Sequence, residues 1–219
     1  MKPQENTTER RFVCSGVELR AQDGEGETKR TIRGYAAKFN KRSENLGNEG
    51  NQFFEILEPS AFDDVLNDDV RALFNHDPSQ ILARSKGGEG TLRIGTDETG
   101  LWYEFYAPQT RAGNDLLESI RRGDIDQSSF GFQVSGDGQK WEEERNADGQ
   151  NIITRTITKI RQLFDVSPVT YPAYPDATVA LRSLEQFQQE NRDEPEPEEK
   201  PECHWERRLD LISKTPAVN

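Results

Sequence analysis

The sequence predicts an α+β chain that is mostly β: a barrel of short strands, with two helices packed outside it, followed by a disordered tail. Three observations predict this. Short apolar segments, several alternating with period two, recur through residues 11–182 and are separated by turns rich in Gly, Asn, Asp and Pro. Only two segments, 59–66 and 113–122, carry helical spacing. Beyond Ser183 apolar residues become scarce and Glu, Gln and Pro take over.

Taken in order, residues 1–10 are polar and read as a disordered N-terminus. In residues 11–20, Phe12, Cys14, Val17 and Leu19 roughly alternate, which predicts a strand. Residues 31–39 predict a second, with Ile32, Tyr35, Ala37 and Phe39. Residues 41–51 are a loop rich in Asn, Gly and Glu. Residues 59–66 predict a short helix. Ser60 is its N-cap, Asp63 and Asp64 suit its first turn, and Phe62, Val65 and Leu66 form its apolar face. Residues 70–74 are an apolar strand ended by the turn Asn75-His76-Asp77-Pro78. Residues 91–95 and 101–106 flank a turn signal and read as a hairpin. Residues 113–122 predict a helix capped by Asn114, with Leu116, Leu117 and Ile120 on one face. Residues 128–134 read as a strand, 141–153 as a hairpin tip, and 152–169 as a long β-prone stretch. The prolines of Tyr171-Pro172-Ala173-Tyr174-Pro175 break it, and a short strand is expected at 178–182. The folded domain therefore spans about residues 11–183, and residues 184–219 form an acidic tail rich in Pro and Glu.

Composition narrows the function. Against 28 Lys and Arg stand 40 Asp and Glu, a net charge of −12, so a nucleic-acid backbone is repelled. Cys14 and Cys203 lie near opposite ends with no partner at metal-ligand spacing, which fits a reducing, intracellular setting. The first 11 residues lack the apolar core of a secretory signal, and no apolar run approaches the roughly 20 residues of a membrane span. A soluble, cytoplasmic protein is expected, with no metal and no cofactor. Phosphate-binding loops and Gly-x-Ser-x-Gly elbows are absent from the sequence.

Three features could carry chemistry. Of two histidines, His204 lies in the polar tail, and His76 alone falls in the expected fold, at a strand end where a scaffold presents functional side chains. On that feature alone an ordinary turn histidine is the better reading. Ser129, in Ser128-Ser129-Phe130-Gly131-Phe132, begins a strand; a nucleophilic serine needs a base within reach, and without one a structural serine is the better reading. Asp165 sits among apolar neighbours, and a buried carboxylate needs a partner. Either an arginine pairs with it, or it fixes the tautomer of an imidazole.

Taken together, these stretches resemble the prohead protease family of tailed phages. The matching segments are Gly34-Tyr35-Ala36-Ala37-Lys38-Phe39 and Glu55-Ile56-Leu57-Glu58-Pro59-Ser60-Ala61-Phe62. Then come Ala72-Leu73-Phe74-Asn75-His76-Asp77-Pro78 and Arg122-Gly123-Asp124-Ile125 leading into Ser129-Phe130-Gly131-Phe132. The last is Asp165-Val166-Ser167-Pro168-Val169-Thr170 with Pro172-Ala173-Tyr174-Pro175. The resemblance covers roughly residues 30–182. It implies a β-barrel similar to the herpesvirus assemblin protease and a serine endopeptidase with Ser129 as nucleophile and His76 as base. Assemblin-type enzymes use a second histidine as third member; here a carboxylate must serve, and Asp165 stands at the matching position. Ser128 is the alternative nucleophile. The resemblance further implies the major capsid protein and scaffold protein as substrates, self-association, action inside the assembling procapsid in the host cytoplasm, and a tail that serves either in self-cleavage or in capsid docking. A non-enzymatic assembly or scaffolding protein is the competing class, though the long helical heptads of scaffolds are missing.

Overall fold

The structure is a computed structural model and describes residues 8–13, 17–20, 30–47, 51–146, 149–171 and 177–192. Residues 1–182 form one compact unit and residues 183–219 a second. Of the N-terminus expected to be disordered, 1–10, residues 1–7 lie outside the described residues, whereas Glu9 and Arg10 begin a strand. Residues 193–219 of the expected tail 184–219, Pro172 and Pro175 of the expected break, and Cys14, Cys203 and His204 also lie outside them.

Thirteen strands and two α-helices are described, so the class is mostly β with helices, as expected. The strands are β1 (Glu9–Val13), β2 (Glu18–Arg20), β3 (Thr31–Lys38), β4 (Asn51–Leu57), β5 (Val70–Phe74), β6 (Asp77–Lys86) and β7 (Glu89–Gly90). There follow β8 (Leu92–Thr96), β9 (Gly100–Tyr106), β10 (Gln127–Val134), β11 (Gln139–Arg145), β12 (Asn151–Ile157) and β13 (Ile160–Val169). Among the described residues they pair into three sheets, in the orders β1-β10-β13-β5-β6-β7, β2-β3-β9-β8 and β11-β12-β4. Pairings are antiparallel except β13 with β5 and β12 with β4. No sheet closes on itself, so the expected barrel is corrected: the large sheet ends at five-residue β1 and two-residue β7, which do not pair with each other.

Sheet alternation sorts β10 into two faces. Phe130 and Phe132 turn inward, stacked at 4.7 Å between ring centroids, and Phe130 meets Phe62 at 5.8 Å. All three are completely buried, which contributes about 1.5–3 kcal/mol each. Phe62 ends a 3₁₀ helix, Pro59–Phe62, where a longer helix capped by Ser60 was expected; Glu58 is the cap residue and makes no side-chain cap bond.

Helix α1 (Arg111–Arg122) starts two residues before the expected boundary. Its cap is therefore Thr110, whose hydroxyl accepts from Gly113 N, and Gly123 ends it in the left-handed conformation at φ 79°. The inward face carries Leu116, Leu117 and Ile120 as expected. The second helix, α2 (Ala177–Arg192), replaces the strand expected at 178–182 and extends into the segment expected to be disordered.

Candidate active site

The large sheet brings together residues far apart in sequence. His76 rides on the two-residue turn joining β5 to β6. Asn75 and His76 both take positive φ, 55° and 57°, the signs of a type I′ hairpin turn. Asn suits that conformation; His at such a position carries backbone strain. The turn is tied down by Asn75. Its N–H donates to Pro168 O at 3.1 Å, and its Oδ1 accepts from Thr170 N at 2.8 Å and from Thr170 Oγ1 at 3.2 Å. Thus the end of β13 fixes the hairpin that carries the imidazole.

Strands β10 and β13 supply the rest. Ser129 pairs with Ser167, and Gly131 with Asp165, so these four positions share one face. His76 Nε2 lies 2.6 Å from Ser129 Oγ, and His76 Nδ1 lies 2.5 Å from Asp165 Oδ1. With Nδ1–H donating to the carboxylate, a neutral ring leaves Nε2 as acceptor for the serine proton. The array is nearly dry: the His76 and Asp165 side chains are 6% and 10% exposed, and Ser129 is buried. Asp77, the carboxylate next to His76 in sequence, turns away to Ser79 and Gln80.

The two adjacent serines separate by strand alternation. Ser128 faces the core and lies 2.8 Å from the Tyr103 hydroxyl. Burial pushes the Tyr103 phenol well above its ordinary value, the Ser128 bond only partly opposing this. Gly34 makes room for this contact, since a Cβ there would fall 2.6 Å from Tyr103 Oη. Ser129 faces His76 instead.

Two further groups touch the array. Ser129 Oγ also lies 2.9 Å from the Arg11 carbonyl on β1, so its single proton has two acceptors, Nε2 and Arg11 O. Ser167 Oγ donates to Asp165 Oδ1 at 2.8 Å. Sequence reasoning assigned neither contact, and only the i,i+2 spacing of Asp165 and Ser167 on a strand hinted at the second. Gly131 is required for a spatial reason: a Cβ there would lie 2.5 Å from Asp165 Oδ2. Among the described residues, no group of three or more His, Cys, Asp or Glu could hold a metal.

A serine hydroxyl on an imidazole that is itself held by a carboxylate is the arrangement of serine hydrolases. Residues 15–190 match the family described as caudovirus prohead serine protease, and the chain belongs to that family. It is thereby a member of a family of phage serine proteases. No curated protein matches the chain. Among solved structures it is similar to the bacteriophage T4 capsid assembly protease, gp21, at 14% identity and a TM-score of 0.41, over 76% of this chain and 100% of that one.

Proposed function

We propose that the chain is a serine endopeptidase that cleaves capsid and scaffold proteins during prohead maturation, with Ser129 as nucleophile, His76 as general base and Asp165 as the orienting acid. One observation carries the reading: His76 stands within hydrogen-bond reach of both Ser129 Oγ and Asp165 Oδ1. In the acylation step Ser129 Oγ bonds to the scissile carbonyl carbon and its proton passes to His76 Nε2. The C–N bond then breaks as the leaving amine takes that proton. Water, deprotonated by His76, attacks the ester, and the acid product leaves as Ser129 regains its proton. Asp165 offsets the positive charge that His76 carries between these steps.

The wider reading follows from family membership. On this reading the catalytic domain spans about residues 11–183 and is an open-sheet relative of assemblin-type proteases. Substrates are the major capsid protein and the scaffold, met inside the procapsid in the host cytoplasm. The acidic segment 184–219 is a docking or self-cleavage region. Intact-mass analysis under assembly conditions tests the latter: an uncut chain would count against it.

Co-expression with the cognate major capsid protein tests the core of the reading. Ser129→Ala and His76→Ala should both leave the capsid protein uncut while the variant protein stays folded. Normal processing by Ser129→Ala would sink the assignment and favour a non-enzymatic assembly factor.

A further inference from the structure

One buried hydroxyl on the catalytic face has no part in the chemistry above. Ser167 is completely buried on β13, two residues beyond Asp165 and directly opposite Ser129 across the β10–β13 pairing. Its Oγ donates to Asp165 Oδ1, the same oxygen that takes His76 Nδ1. We propose that Ser167 is a positioning residue: its hydroxyl locks the Asp165 carboxylate in the rotamer that orients His76. This rests on the reading of Asp165 as the partner of the imidazole.

The terminal torsion of an aspartate is broad and nearly two-fold, so a carboxylate held by one donor can turn and exchange its oxygens. Here both oxygens are located. Gly131 leaves the space that Oδ2 occupies, since any Cβ would lie 2.5 Å from it. Ser167 gives Oδ1 a second donor beside the ring nitrogen. At 2.8 Å this is a hydroxyl bond of ordinary length, and it gives the carboxylate a second fixed donor. Strand geometry makes it possible: residues i and i+2 point to the same face, so the carboxylate and the hydroxyl two residues on lie side by side. The chain of contacts Ser167–Asp165–His76–Ser129 then starts and ends on residues that are cross-strand partners. A shift of Asp165 is therefore felt by the nucleophile, and misplacements of about 1 Å can cost about 100-fold in rate.

The test uses Ser167→Ala, Ser167→Thr and Ser129→Ala in the full chain, with two readouts. The first is steady-state cleavage of the purified cognate major capsid protein. The second is the downfield proton NMR signal of His76 Nδ1–H, which needs no turnover and is assigned by its loss in His76→Ala. Ser167→Ala is expected to lower kcat by about 10- to 100-fold with KM nearly unchanged, because a misaligned base acts on the transition state and not on substrate binding. The His76 signal should move or broaden. Ser167→Thr, which keeps the hydroxyl, should restore both. An unmoved signal with cleavage within about twofold of the parent chain overturns the proposal, as does a rate loss that Ser167→Thr shares with an unmoved signal, which would mark simple packing. Should the Ala variant fail to fold, Ser167→Cys keeps the volume with a weak donor and is judged by the same two readouts. Normal cleavage by Ser129→Ala defeats the underlying reading, whereas an inactive Ser129→Ala beside an unaffected Ser167→Ala defeats only the role of Ser167.

Discussion

At the scale of single residues, the backbone at position 76 separates geometry from chemistry. His76 sits at φ 57°, where a Cβ is disfavoured. Replacing it by Ala or Gly removes the same imidazole contacts, so the two variants differ in backbone terms alone. Glycine relieves the strain of positive φ and loses part of that gain to the greater freedom of its unfolded chain. His76→Gly is therefore expected to be more stable than His76→Ala by about 1 kcal/mol in urea melts, with both unable to cleave capsid protein. Ser128 and Ser129 should part in the opposite way. Ser128→Ala leaves the buried Tyr103 hydroxyl without its partner, so it should cost about 1–3 kcal/mol of stability and keep proteolysis. Loss of cleavage in a folded Ser128→Ala would count against the strand-face argument. His76 stood out as the one histidine in the expected fold, but a role for it, as for Ser129 and Asp165, became legible only through family resemblance. Ser167 and Gly131 were not, because their importance depends on which strand lies beside which, and that register is set by pairing between segments about 35 residues apart.

At the scale of elements, β1 is the informative case. It pairs with β10 along Phe12 and Ser129, and its Arg11 carbonyl accepts from Ser129 Oγ. Its side chains are held by a buried ionic cluster. Arg11 bonds Glu9 and Glu55, and Arg155 bonds the same two carboxylates, all four residues less than 8% exposed. Burial by itself would raise the Glu55 carboxyl, but the guanidiniums of Arg11 and Arg155 outweigh it and hold the group at about 2. The unfolded chain has the ordinary carboxylate value near 4.5, so this contribution to stability is complete above that pH and is lost as pH falls towards 2. Glu55→Gln strands two guanidiniums beside one carboxylate and should cost about 3–5 kcal/mol at neutral pH. Its stability should also fall less than the parent's between about pH 4.5 and pH 3, as followed by urea midpoints. An equal fall in both proteins would remove Glu55 as the source. The cluster was illegible in sequence because its members come from three strands and look like ordinary surface charges. Local signals did better where one element satisfies itself, as in β3, β5, the β8–β9 hairpin and the inward face of α1. They failed at Pro78, read as a strand end. It is the second residue of β6, just beyond the hairpin turn, where a ladder can spare one N–H. They failed again at α2, where a strand was expected at 178–182 and the helix instead runs on through the Glu- and Gln-rich stretch.

At the scale of the whole molecule, the question is how much of the chain the site needs. Its hydrogen-bonded members, with the strands that pair to place them, come from residues 9–170. The site rests on β10 and β13, interior strands of the largest sheet, and on a hairpin pinned to the end of β13. Interior strands open only with the sheet as a whole, so the site should have no cheaper local route to disorder. Residues 193–219 are of another kind: Asp193, Glu194, Glu196, Glu198, Glu199, Glu202 and Glu206 fall within 14 residues, with Pro195, Pro197 and Pro201 between them. A stretch so rich in Asp, Glu and Pro has few apolar side chains to add to a core. A chain ended at Arg192 is therefore expected to unfold in one cooperative step, with a urea midpoint equal to that of the full chain. Loss of capsid cleavage and loss of the far-ultraviolet circular dichroism signal should coincide along that curve. If the shortened chain lost stability, residues 193–219 would belong to the folded protease; if activity fell well before the dichroism signal, the site would rest on something weaker than its sheet.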